Sequence, residues 1–263
     1  MTILTSQLII GVIMVLLAFI CYKANKVKLS TSMITKLALL ITLSVLLGSI
    51  FKISLPLFGP ETFEIKFDTL PLMFIGILFG PWWGLLSGFI IDMIQLMLSP
   101  TSFPYLGFTL NLMLTGMITG FMFQSKNNID EKYKNFNQWL LILSLFLAIF
   151  FIVITNQIQI RNEMIVFTHG IKWGLTAIIF FMFFVLYMQS KLYSDNSFNQ
   201  RWIRCVVLCE LLVQVFLTAL WLNVLFNLGF IVTIPIRLIE APIMISAYGV
   251  MGSMIYRVIY RYK

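Results

Sequence analysis

Apolar positions in this chain come in unbroken runs of about twenty residues, separated by short polar stretches that hold most of the lysines and arginines. Within a run such as Trp139 to Ile154, every side of a helix would be apolar. A soluble surface helix buries one face and wets the other, so these runs need an apolar surrounding on all sides. A hydrocarbon core of about 30 Å takes roughly 20 helical residues. Helix is the form that pairs every backbone N–H and C=O within the span. A membrane β-barrel would show segments of about ten residues alternating apolar and polar, and these runs do not alternate. The pattern therefore predicts an all-α, polytopic transmembrane bundle, with nine spans near 3–22, 34–53, 69–80, 82–98, 106–123, 138–155, 167–188, 203–222 and 235–257. The third is too short to cross straight, and Gly80-Pro81 ends it before Trp82 and Trp83.

Composition agrees. Hydrophobic residues make up 60% of the chain and charged residues 11%, against about 25% charged in a soluble domain. The first run is followed by Lys23, Lys26 and Lys28, lacks a basic segment before it and lacks a small-residue cleavage site. It reads as a transmembrane helix rather than a secretory signal.

Charge gives the threading a direction. Lys23, Lys26, Lys28, Lys36, Lys126, Lys132, Lys134, Lys191, Arg201, Arg204, Arg257, Arg261 and Lys263 fall on one side, thirteen of the 18 basic residues. By the positive-inside rule that side is cytoplasmic, which puts the C-terminus in the cytoplasm and the N-terminus outside a cell membrane. The net charge of +8 is then topology and headgroup contact. Charges scattered over short loops do not form a nucleic-acid face.

Small residues recur at four-residue spacing: Gly76, Gly80, Gly84 and Gly88, then Gly116 and Gly120, and on the second span Ala38 and Thr42, Ser44 and Gly48. Such stripes let helix backbones approach closely in lipid. They fit packing inside one bundle or against a partner, and spacing alone does not choose. Cys21, Cys205 and Cys209 form no C-x-x-C pair and suggest packing residues, with no metal site. No P-loop, no H-E-x-x-H and no G-x-S-x-G is present, so no enzyme chemistry and no cofactor is implied.

Several motifs together resemble a known family. These are Ile65, Phe67, Leu70 and Pro71; Phe79-Gly80-Pro81-Trp82-Trp83-Gly84; Ile91-Asp92; and Phe103-Pro104-Tyr105-Leu106-Gly107-Phe108-Thr109-Leu110. Leu217 to Leu222 and Pro235 to Ile239 follow near the C-terminus. In this order and spacing they resemble the substrate-binding S components of energy-coupling-factor (ECF) vitamin transporters, folate-type members above all. The resemblance implies a six-helix core that holds a vitamin near its outer face and topples in the membrane to deliver it. It also implies partners: a transmembrane coupling subunit and two cytoplasmic ATPase subunits. It divides the chain into an additional N-terminal helix and basic linker at 1–33, a first core part at 34–137, an inserted hairpin at 138–200 and the last two core helices at 201–263. The family's docking pair of small residues falls on Ala38 and Thr42. Glu64 stands where the family often has an arginine, with Lys66 as the nearby positive group.

On that resemblance, Lys66, Phe103, Tyr105, Phe108, Trp221 and Arg237 are the candidate substrate-binding residues. Aromatic faces stack on a flat heterocycle such as a pterin, as they do on bases, and they also gather at membrane interfaces for their amphipathic character. Arg237 fits a two-pronged grip on a carboxylate, or an interfacial arginine reaching the headgroups. Asp92 lies near the middle of its span, where a carboxylate costs about 2.5–3.5 kcal/mol and needs a partner within the bundle. Glu210 poses the same question. His169, the single histidine, lies beside Lys172 at a span end, as an outer vestibule or an interfacial residue. Three function classes follow, in this order: an ECF-type vitamin-binding subunit with folate as first substrate and other small vitamins such as riboflavin, thiamine or pantothenate as alternatives; a self-sufficient proton-coupled transporter using Asp92 and Glu210; and an intramembrane lipid enzyme, for which polar residues occur only as scattered singletons.

Overall fold

The computed structural model describes residues 3–24, 30–50, 53–54, 64–98, 104–124, 157–160, 163–166, 169–192, 197–226 and 230–261, with single helical positions at 146 and 149. Its residues gather into two compact units, one of 1–54, 64–126 and 220–227, the other of 55–63, 127–219 and 228–263.

The first unit is built from α1 (Ile3–Ala24), α2 (Thr31–Ile50), α3 (Thr69–Phe79), α4 (Pro81–Leu98) and α5 (Leu106–Gln124). The Ser30 hydroxyl starts α2 by accepting the Met33 N–H at 3.3 Å, which satisfies one of the donors a helix N-terminus leaves open. Helix α3 has 11 residues, about 16 Å at 1.5 Å per residue, and so falls short of a bilayer. Gly80 ends it with φ of 93°, a conformation that needs glycine, and Pro81 opens α4 at once, where its missing N–H costs nothing. A two-residue ribbon, β1 (Ile53–Ser54) against β2 (Glu64–Ile65), lies between α2 and α3 in the chain.

Helices α3, α4 and α5 cross backbone to backbone. A Cβ added at Gly84 would sit 2.2 Å from the Gly116 carbonyl oxygen, and one at Gly76 would sit 2.5 Å from that same oxygen. Gly88 meets the Leu112 backbone and Gly120 meets Pro81. The glycine stripes of the third to fifth spans therefore serve packing within the bundle, where close approach provides the dispersion contact that lipid does not. Helix α2 separates its two stripes. Ser44 and Gly48 face inward, Ser44 donating to the Asp68 carbonyl and Gly48 lying against Gln95 and Asp68. Ala38 and Thr42 face outward, and the Thr42 hydroxyl donates to the Ala38 carbonyl at 2.9 Å.

The second unit holds the ribbon β3 (Gln157–Ile160) with β4 (Glu163–Val166), then α6 (His169–Leu192), α7 (Ser197–Leu208), a π-helical stretch (Cys209–Leu217) and α9 (Phe230–Arg261). Helix α8 (Thr218–Phe226) continues directly from the π-helical stretch. Where the π turns pass into α8, the Thr218 hydroxyl reaches back five residues, to the Val213 carbonyl at 3.4 Å. Trp202 is fully buried, donates to the Tyr248 carbonyl at 2.9 Å and lies against Gly252. Phe198 stacks on Tyr256 at 3.6 Å.

Five helical spans are long and apolar enough to cross a membrane among the described residues: Ile3–Lys23, Thr31–Ile50, Pro81–Leu98, Leu106–Gln124 and Phe198–Leu225. The helical bundle expected from the apolar runs is what forms, and the two short ribbons are additions to it. The span expected at 138–155 lies almost wholly outside the described residues.

Candidate functional site

The start of α5 carries the aromatic part. Pro104 and Tyr105 precede the helix, and the Phe108 N–H closes its first turn on the Tyr105 carbonyl at 3.1 Å. The Tyr105 ring meets Phe108 edge-on at 6.0 Å and 71°, the geometry that ring quadrupoles favour, and lies tilted to Trp221 at 5.9 Å and 60°. Tyr105 is 2% exposed, while Phe108 and Trp221 are half-buried. Tyr105 thus supports the other two rings from behind. Gly107 makes room, since a Cβ there would meet the Tyr105 and Trp221 rings at 2.5 and 2.7 Å.

Asn111, one turn further along α5, fixes the third ring: the Trp221 Nε1–H donates to its Oδ1 at 2.9 Å. Neither a buried amide nor an indole N–H is affordable in an apolar setting without such a partner.

A polar group lies beside this cluster. The Thr109 hydroxyl donates to Asp92 Oδ2 at 2.6 Å, giving the mid-span carboxylate the partner its depth requires. Lys66 and Asp68 both act electrostatically on Asp92, and Gln95 donates to Asp68 Oδ2 at 3.2 Å. The Lys66 charge therefore acts in part on a carboxylate of its own unit.

Arg237 and Glu240 belong to the second unit, both on α9. The Arg237 Nη1 donates to Glu240 Oε2 at 2.9 Å, with the side chains 13% and 9% exposed. Nε is buried and has no hydrogen-bond partner among the described residues. Glu210 is buried in the π-helical stretch of that unit.

Of the residues singled out from sequence, Tyr105, Phe108 and Trp221 come together, with Lys66 acting on the neighbouring Asp92. Phe103 lies outside the described residues, and Arg237 lies in the other unit. Asn111 and Thr109 were not singled out. A lone Asn inside an apolar run was the available signal, since such a side chain needs a partner in lipid. Among the described residues no group of three or more metal-ligating side chains occurs.

A family model for the ECF transporter, substrate-specific component, matches residues 32–259. The chain belongs to that family. It is a multi-pass membrane protein and the substrate-specific component of a transporter, not an enzyme. The match opens at the start of α2 and leaves α1 outside it. Among curated proteins none matches the sequence. Among solved structures, the fold is shared with a crystal structure of FolT bound with folic acid, at 19% identity and a TM-score of 0.52. That similarity covers 86% of this chain and 93% of the FolT chain.

Proposed function

We propose that this ECF substrate-specific component captures a vitamin, folate first, on the Phe108 and Trp221 rings, and delivers it inward with an ATP-driven module. The carrying observation is the Trp221–Asn111 hydrogen bond of 2.9 Å. It fixes the indole that packs on Tyr105, the ring on which Phe108 also packs, and a ring held in advance binds a flat heterocycle without the ordering cost of a free one. Tyr105 serves as the support for both rings. The fold shared with a folate-bound FolT favours folate among vitamins, and the ring pair suits a pterin.

For a carboxylate tail the family motif offers Arg237, whose Nη1 donates to Glu240 within its own unit. Lys66, which acts electrostatically on Asp92, supplies a positive group beside the rings for an anionic substrate. Phe103 extends the aromatic set on the strength of the family motif. The outward stripe of Ala38 and Thr42 on α2 is the contact for the transmembrane coupling subunit, which two cytoplasmic ATPases drive. The C-terminus faces the cytoplasm and the N-terminus the outside, following the basic loops.

Tryptophan quenching of the purified protein against a panel of folate, riboflavin, thiamine and pantothenate tests the reading. Saturable quenching by folate is the expected result. A response to another vitamin with none to any folate would replace the substrate, and no response to any vitamin would remove the proposal.

A further inference from the structure

Helix α1 lies outside the family match, yet it is packed into the unit that carries the aromatic rings. Its inward flank is Ser6, Ile10, Met14 and Cys21, buried with Leu85, Tyr105, Leu110 and Met113 of α4 and α5. Its outward flank exposes Leu4, Leu8, Val12, Val15 and Phe19. At its far end Tyr22 meets Trp82 edge-on at 5.4 Å. Helix α1 therefore runs alongside α5 in the same direction.

In lipid, apolar contact between helices has no hydrophobic driving force, so polar contacts weigh more in fixing their position. Two such contacts from α1 fall at the entry to α5. Gln7 Nε2 donates to the Pro104 carbonyl at 3.3 Å. The Tyr105 hydroxyl donates to Ser6 Oγ at 3.1 Å. The Ser6 proton is directed to the Ile3 carbonyl at 2.7 Å, so Ser6 meets the phenol as an acceptor and the phenol proton points at α1. Tyr105, which Pro104 precedes, is the residue on which the first turn of α5 and both remaining rings rest.

We propose that α1 is a clamp on the substrate site. Ser6 and Gln7 are positioning residues: they hold the Pro104–Tyr105 entry, and through the Tyr105 ring they hold Phe108 and Trp221, so that α1 sets how long a bound substrate stays. The effect on residence time rests on the vitamin-binding reading above; the clamp itself does not need a ligand to be measured.

Full-length protein carrying Ser6→Ala and Gln7→Ala together is compared with wild type and with Ser6→Thr, which keeps the hydroxyl. Without ligand, amide hydrogen exchange over 104–110 rises about fivefold in the double variant, the factor one buried hydrogen bond is worth. Ser6→Thr stays at the wild-type rate, and exchange along α3 does not change. Folic acid then dissociates about fivefold faster from the double variant with its association rate unaltered. If the double variant fails to fold, Tyr105→Phe removes the same donor without changing α1 and is read in the same way. Unchanged exchange over 104–110 overturns the clamp whether or not folic acid binds. Raised exchange with an unchanged dissociation rate overturns its effect on residence time. Absence of folic acid binding to wild type rejects the folate reading alone, and the exchange result still decides the clamp.

Discussion

The indole N–H of Trp221 and the amide oxygen of Asn111 meet at 2.9 Å across 110 positions of sequence. Asn111 is buried, at 4% exposure, so its amide oxygen depends on donors from the protein. Asn111→Leu is therefore expected to cost about 1–3 kcal/mol, because it leaves the indole N–H without an acceptor. Thermal unfolding in detergent measures that loss. Combining Asn111→Leu with Trp221→Phe removes both partners and recovers most of the stability, but not the vitamin quenching.

The α4–α5 crossing depends on the absence of side chains at Gly84 and Gly116. Gly84→Leu places its Cβ about where the Gly116 carbonyl oxygen lies, 2.2 Å away, and is expected to cost at least about 1–3 kcal/mol. Gly11 of α1 has nothing within 4 Å of an added Cβ. Gly11→Ala is expected to stabilise by about 0.5–1 kcal/mol through helix propensity. Thermal midpoints of the two variants, shifted in opposite directions, check the pair.

The Thr109–Asp92 bond of 2.6 Å separates structural from proton-coupling roles. Asp92→Asn keeps an acceptor for Thr109 and removes the titrating group. Transport by the Asp92→Asn, Glu210→Gln double variant is expected to stay near wild type when an ATP-driven module is present. Loss of transport with binding retained would instead point to a proton relay.

The Ala38–Thr42 stripe is exposed and its one hydroxyl is satisfied within α2. Bulk can therefore be added there without disturbing the unit. Ala38→Trp is expected to leave vitamin affinity intact and to abolish co-purification with the coupling module, read on the same preparation.

Arg237 is tested with its partner, because removing the arginine alone breaks a largely buried pair with Glu240, a loss of about 3–5 kcal/mol. The Arg237→Gln, Glu240→Gln double variant is expected to lose folic acid affinity at least tenfold, about 1.4 kcal/mol. Pteroic acid, which lacks the glutamate, should bind it as it binds wild type. Equal losses for both ligands would reject the carboxylate grip.

Helix positions were legible because lipid demands apolar length, and runs such as Ile3 to Tyr22 or Leu106 to Phe123 have it without interruption. The glycine stripes told where helices approach, yet only the fold told which stripe of α2 turns inward. That choice depends on Asp68 and Gln95, which reach Ser44 and Gly48 from elsewhere in the chain. The β3–β4 ribbon was overlooked although Gln157-Ile158-Gln159-Ile160 alternates polar and apolar, the strand signature. The apolar runs on either side outweighed it. The π-helical stretch from Cys209 to Leu217 has no sequence mark, since its five-residue spacing is a property of the backbone, as where the Thr218 N–H reaches the Val213 carbonyl. In the site, aromatic residues stood out by type. Asn111 and Ser6 did not, because each matters through one hydrogen bond to a residue about a hundred positions away.

Uptake of radiolabelled folate into cells expressing this chain, with and without a co-expressed ECF coupling subunit and its two ATPases, tests the central claim most directly. The expected result is uptake only when chain and module are present together, and its loss on inactivating the ATPases. Folate uptake by the chain alone, indifferent to the module, would contradict it.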